Sequence, residues 1–120
     1  MILHGQTHGG IAQGAGQALR EDCHYDPRTG QLLAASLMDY AMPRADTLPA
    51  LATALSEVPA PTNPLGVRSG GEGGTTPALA VVINAIVDAL AELGVRHIEM
   101  PATPERVWRA IREAKGQRIV

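Results

Sequence analysis

The run Gly66-Val-Arg-Ser-Gly-Gly-Glu-Gly-Gly-Thr-Thr76 sets one carboxylate, Glu72, in a glycine-rich loop directly ahead of a strongly amphipathic stretch. Glycines let the main chain approach another molecule closely, and the unpaired N–H groups at the start of a following helix attract anionic oxygens. An acid held there is placed for proton transfer beside a phosphate-bearing ligand. The same pattern on its own also describes a solvated turn, so the remaining chain has to decide between the two. Two weaker constellations compete. His4 and His8 are four residues apart and, with His24, offer imidazoles for a metal, but glycines surround both and no carboxylate matches their spacing. Asp39 and Tyr40 form a candidate acid–phenol pair, read more simply as a strand-end contact.

The elements that must position these groups follow from the hydrophobic pattern. Leu79, Val82, Ile83, Ile86, Val87, Leu90 and Leu93 recur at helical spacing and predict a helix after the glycine loop, stopped by Gly94. A short strand is expected over residues 95–100. Thr103-Pro-Glu105 then reads as a helix start, with a hydroxyl cap, a proline at the first position and an acid near the positive end of the dipole. Val107, Trp108, Ile111 and Ala114 are expected on its buried side.

Upstream, residues 9–21 predict a helix with Ile11, Ala15, Ala18 and Leu19 on one face, opposed by Gly9, Gly10, Gly14 and Gly16 at about 1 kcal/mol for each interior glycine. Such a helix persists only where its bare backbone is used, and the Gln13 amide beside it can both donate and accept hydrogen bonds. Asp26-Pro-Arg-Thr-Gly30 reads as a turn joining residues 23–25 to 32–36 in a hairpin, with Gly30 left-handed. Residues 53–58 alternate as a strand, and 59–64 are too rich in proline for regular structure. The expected architecture is a single α+β unit over residues 1–120, two to three helices packed on a small mixed sheet, with residues 115–120 frayed.

Composition narrows the function classes. With 10 Lys and Arg scattered against 12 Asp and Glu, and a net charge of −2, the chain has no basic block for a nucleic acid. Its apolar runs fall short of the ~18 residues of a membrane span, and no secretory leader is apparent, so a cytoplasmic location is expected. Cys23 is the single cysteine, which excludes an internal disulfide or a thiolate cluster within the chain. The chain has no Phe and carries only Trp108, Tyr25 and Tyr40 as aromatic residues, beside 13 Gly and 9 Pro. So little aromatic bulk predicts a segment that packs against something larger.

Five blocks occur in order: Gly5-Gln-Thr-His-Gly-Gly-Ile-Ala-Gln-Gly-Ala-Gly-Gln-Ala-Leu19, Met38-Asp-Tyr-Ala-Met-Pro-Arg44, Pro61-Thr-Asn-Pro-Leu-Gly66, Gly71-Glu-Gly-Gly-Thr75 and Met100-Pro-Ala-Thr-Pro-Glu-Arg-Val-Trp108. Together they resemble the C-terminal part of the molybdenum-binding large subunit of the xanthine dehydrogenase and aldehyde oxidase family, most of all its aerobic carbon monoxide dehydrogenase branch. The resemblance covers residues 3–113. It implies that Glu72 is the active-site base, that Gln13 and Gly14 touch the pterin, and that the backbone of Ser69, Gly70 and Gly71 lies beside the molybdenum. It also implies molybdopterin cytosine dinucleotide as cofactor, and 2Fe-2S and FAD in a small and a medium partner subunit. Family large subunits are several times longer, so the chain is expected to be a fragment or truncated frame that is inactive alone. The other expectation is a non-catalytic remnant or interaction module that retains the fold.

Overall fold

In the computed structural model, which describes residues 1–117, three helices carry the chain: α1 (Ile2–Leu19), α2 (Thr75–Ala89) and α3 (Pro104–Ala114). The face of α2 that carries Ile83, Ile86 and Val87 packs on a buried trio, Val95, Ile98 and Ala102, and Val107, Ala110 and Ile111 of α3 close this core from the other side. Gly94, at φ +88, turns the chain out of a 3₁₀ turn (Ala91–Leu93) into that trio, a conformation that favours glycine. Helix α3 starts as its sequence predicts: the Thr103 side chain accepts a hydrogen bond from the Arg106 N–H and Pro104 takes the first position. Ala114, expected on the buried side, is exposed, and Trp108 also departs from expectation. It is 50% exposed, with the Arg112 guanidinium 5.5 Å from its ring centre, because it lies to the side of the face that carries Val107 and Ile111.

Helix α1 is longer than the 9–21 predicted, beginning at Ile2 despite its glycines and the absence of a side-chain cap. Packing supplies what propensity does not. Gly10 and Gly14 are buried against Gly74, Thr75 and Ala78, so α1 and the start of α2 run side by side in the same direction with their backbones nearly touching. The Ala102 N–H donates to the Ala18 carbonyl at 2.6 Å and joins the end of α1 to the core.

The small mixed sheet does not form among the described residues. Tyr25 and Leu32 make one isolated antiparallel bridge around the expected turn, where Asp26 accepts from the N–H groups of Arg28 and Thr29 and Gly30 sits at φ +72. Residues 53–58 and 95–100 are not strands, because a strand needs a neighbour to complete its ladder and neither segment has one here. Residues 115–117 are tied to α3 through Gly116 N–H to Glu113 O and Gln117 N–H to Arg112 O, whereas 118–120, also expected to fray, lie outside the described residues.

The radius of gyration is 18.3 Å, against about 14 Å for a compact domain of this length. Accessible surface is 9128 Å², against roughly 6,200 Å² for a compact chain of this mass. Ile2, Leu37, Met38, Leu65, Val67 and Val81 are among the exposed apolar side chains. More apolar side chain is thus left uncovered than a compact chain of this length leaves. No helix among the described residues is long and apolar enough to cross a membrane.

Away from the glycine loop, Tyr40 clasps the 36–44 segment to the end of α1 by donating its phenol to Glu21 Oε2 at 2.5 Å. Asp39 is engaged elsewhere, accepting from Ser36 Oγ at 2.7 Å, so the candidate Asp39–Tyr40 pair does not form, and the favoured strand-end contact does not either, because residues 37–39 are a turn. The hydrogen bond to the Glu21 carboxylate, with desolvation second, pushes the Tyr40 pKa up to about 12. A raised phenol pKa stabilises the fold fully below the ordinary tyrosine value of about 10, and the contribution is lost as pH rises through about 12. Ultraviolet titration of E21Q is therefore expected to show the Tyr40 phenolate forming nearer the ordinary value, and an unmoved titration would contradict this clasp.

Candidate active site

The contacts between α1 and the segment from residue 70 to 78 advance in register. Leu3 covers Gly70, where an added Cβ would lie 2.6 Å from Leu3 Cδ1. One turn on, Gln6 Nε2 donates to the Gly71 carbonyl at 2.8 Å. Gly74 then meets the backbone of Thr7, Gly10 and Ile11, and Gly14 meets Thr75 and Ala78. A Cβ on Gly74 would fall 2.5 Å from the Thr7 carbonyl oxygen, so this approach requires glycine. Glu72 sits within this seam, and its carbonyl accepts the Thr76 N–H at 3.1 Å as the helical turn begins.

Gln6, Gln13, Gly71, Glu72, Thr75 and Thr76 border a cleft of about 440 Å³ between the two helices. Gln6 and Gln13 are two helical turns apart and therefore share one face of α1. Helix α2 has neither a side-chain cap nor an acid in its first turn, so the positive end of its dipole is not neutralised, although the Thr76 N–H is taken by the Glu72 carbonyl, Pro77 has no N–H and Ala78 is buried against α1. The cleft thus combines two amides, two hydroxyls, a glycine backbone and one carboxylate. A larger cavity of about 700 Å³ lies at the far ends of α1 and α2 among Leu19, Ile86, Leu90 and Val107. Its lining is mostly apolar, with Arg20 and Thr103 as its polar side chains and no carboxylate or imidazole, so the chemistry favours the smaller cleft.

Of the residues singled out in the sequence, the structure brings Gln13, Gly71 and Glu72 to one cleft. Gly14 is one residue from Gln13 but buried against α2, where it serves the helix crossing. Ser69 is exposed and Gly70 lies beneath Leu3, and neither borders the cleft. Glu72 is exposed rather than buried, because α1 walls the loop on one side only. Gln6, Thr75 and Thr76 were not anticipated as cleft residues. The seven-residue interval from Gln6 to Gln13 was the available signal, hidden when the helix was started at residue 9.

His4 and His8 do share a face of α1, and both turn to Thr53, with His4 Nδ1 at 2.7 Å and His8 Nε2 at 3.4 Å from its hydroxyl. They fasten the 48–58 segment to α1. Among the described residues no three His, Cys, Asp or Glu side chains are grouped to hold a metal ion.

Residues 1–49 match the family described as the molybdopterin cofactor-binding domain. The chain is 36% identical over 113 residues to the carbon monoxide dehydrogenase large chain of Hydrogenophaga pseudoflava, covering 94% of this chain and 14% of that one. It is 41% identical over 109 residues to the nicotine 6-hydroxylase large subunit of Paenarthrobacter nicotinovorans, covering 91% of this chain and 13% of the relative. Among solved structures, quinoline 2-oxidoreductase from Pseudomonas putida 86 superposes with a TM-score of 0.88 at 43% identity, over 94% of this chain and 14% of that chain. The chain therefore spans about one-seventh of the length of the relatives it matches. Over that span it belongs to the family of molybdenum-binding large subunits that includes the xanthine dehydrogenases, aldehyde oxidoreductases and carbon monoxide dehydrogenases.

Proposed function

We propose that this chain is the C-terminal part of the molybdopterin-binding region of a molybdenum hydroxylase large subunit, with Glu72 as general base and Gln13 as an amide contact to the pterin. The observation that carries this reading is the convergence of Glu72, Gln13 and Gln6 on one cleft, from segments about sixty residues apart in sequence. The donor set fits the group. The Gln13 amide matches the hydrogen-bonding edge of a pterin, the main chain at Gly71 offers close approach, and the positive end of the α2 dipole, with no acid in its first turn, favours an anion. When bound, molybdenum–molybdopterin cytosine dinucleotide would supply a redox-active metal centre that accepts the electron pair leaving the substrate.

The task of Glu72 is to accept, at a carboxylate oxygen, the proton lost by the water-derived oxygen as it attacks an electron-poor carbon. Gln13 orients the pterin edge and Gly71 presents main chain at the cleft, whereas Ser69 and Gly70, which do not border it, are given no contact with the cofactor. Because Glu72 is exposed in this chain, a second wall must come from the remainder of the large subunit, which the exposed apolar side chains would engage. That wall excludes water and completes the site, so the chain alone is inactive. The 2Fe-2S and FAD groups of a small and a medium subunit would carry electrons onward, and the complex would reside in the cytoplasm. A non-catalytic module would use the same apolar faces but gives no reason for the carboxylate and amides to meet.

The test is to purify the assembled complex containing this segment, measure molybdenum and pterin, and assay dye-coupled oxidation of carbon monoxide, xanthine, nicotine, quinoline and an aldehyde in heavy-oxygen water. Stoichiometric molybdenum and oxidation of at least one compound, with the product oxygen drawn from water, are expected. A complex that carries the cofactor yet oxidises none of the panel would favour the non-catalytic module.

A further inference from the structure

Glu72 is bracketed by two hydrogen bonds of different kinds. Its own carbonyl is taken by the Thr76 N–H, an ordinary helical bond that any residue would make. The carbonyl before it, on Gly71, is taken by the Gln6 side chain at 2.8 Å across a separation of 65 residues. Because the peptide between Gly71 and Glu72 is planar, fixing that carbonyl fixes the plane from which the Cα of Glu72 departs. Among the described residues this is the one hydrogen bond between α1 and the 66–74 loop. Glycines at 70, 71, 73 and 74 leave the loop little stiffness of its own. Leu3 packs on Gly70, but an apolar contact sets no peptide orientation.

We infer that Gln6 is a positioning residue for Glu72: its amide clamps the Gly71 carbonyl and so aims the carboxylate into the cleft that Gln13 also borders. The inference rests on the reading of Glu72 as base. The clamp itself does not, since it concerns the orientation of one peptide. An exposed amide bond of this kind adds little to global stability, so its removal should loosen the loop and leave the helices in place.

The test is Gln6→Met, which keeps the length and volume of the side chain and removes the donor, with Gln6→Asn as a second variant whose amide is one methylene too short to reach. In the assembled complex, kcat per bound molybdenum is expected to fall by about tenfold to a hundredfold, the scale of a displacement near 1 Å at a reacting group. KM should stay within about twofold, because the lost interaction matters in the transition state rather than in binding. Molybdenum and pterin contents should match the parent, and amide hydrogen exchange over residues 70–74 should quicken while that of 82–90 does not. A kcat per molybdenum within about twofold of the parent overturns the inference, as does a loss of activity that merely follows a loss of cofactor. If Glu72→Gln is inert and Gln6→Met is normal, the positioning role alone fails. If Glu72→Gln retains full turnover, the base assignment fails, and hydrogen exchange still decides whether Gln6 holds the loop.

Discussion

Replacing Glu72 with Gln in the assembled, cofactor-loaded subunit is expected to lower turnover by roughly a hundredfold to ten-thousandfold, the range that a well-placed general base contributes. The amide has nearly the shape of the carboxylate, so the cleft should keep its form, but it cannot accept a proton from an attacking oxygen. Molybdenum and pterin contents should stay at the parent level, because Gln13, the loop backbone and the start of α2 are untouched. The loss should appear in kcat and kcat/KM together, the signature of an interaction made in the transition state. Unchanged turnover with full cofactor would remove Glu72 from the chemistry.

The second large effect lies in the seam rather than in the acid. Gly14→Ala places a methyl group 2.7 Å from Ala78 Cβ and 2.8 Å from the Thr75 carbonyl oxygen, both on α2. Neither neighbour is a flexible side chain that can swing aside, so the two helices must separate. Overpacking of this kind costs about 1–3 kcal/mol, and separation would also shift the loop that α1 holds in register. A lower urea midpoint and a loss of bound molybdenum are expected together. Gly5→Ala is the matched control on the same helix, where an added Cβ meets nothing within 4 Å. Relief of glycine's backbone entropy there should stabilise by roughly 0.5–1 kcal/mol. If both substitutions behave alike, the close crossing of α1 and α2 is not what holds the site.

Legibility in the sequence followed the source of order in each element. Helices α2 and α3 carry their own signals, an apolar stripe in one and the Thr103-Pro104 start in the other, and both formed, although α2 ends at Ala89 and the stretch expected to continue it to Gly94 closes as a 3₁₀ turn over Ala91–Leu93. The N-terminal half of α1 carries none, because Gly5, Gly9 and Gly10 oppose a helix on propensity, and contact with the 70–78 segment overrides them. The glycines of α1, read as bare backbone for a ligand, prove at Gly10 and Gly14 to be the means by which two helices touch. Residues 53–58 and 95–100 show why strand patterns mislead in such a segment. Val95 and Ile98 are buried at an interval of three, a spacing that suits an irregular crossing over a helix rather than a pleated ladder.

Some residues of the cleft were more legible than its geometry. Glu72 and Gln13 stand in blocks whose residue types suggest proton transfer and amide recognition, and they do meet at one cleft. Exposure of the acid was not foreseeable from residue types, since a carboxylate is covered by whatever packs over its loop, and among the described residues α1 walls that loop on one side. Gln6 escaped notice because its partner is a main-chain carbonyl 65 residues away, which no local pattern encodes.

The central claim is that the cleft between α1 and the glycine loop faces the cofactor, and an experimental structure of the loaded large subunit containing this segment tests it most directly. The account predicts the pterin against the Gln13 amide and the Glu72 carboxylate beside the molybdenum, with Gln6 still bound to the Gly71 carbonyl. A cofactor seated on another face, with Glu72 turned to bulk solvent, would contradict it.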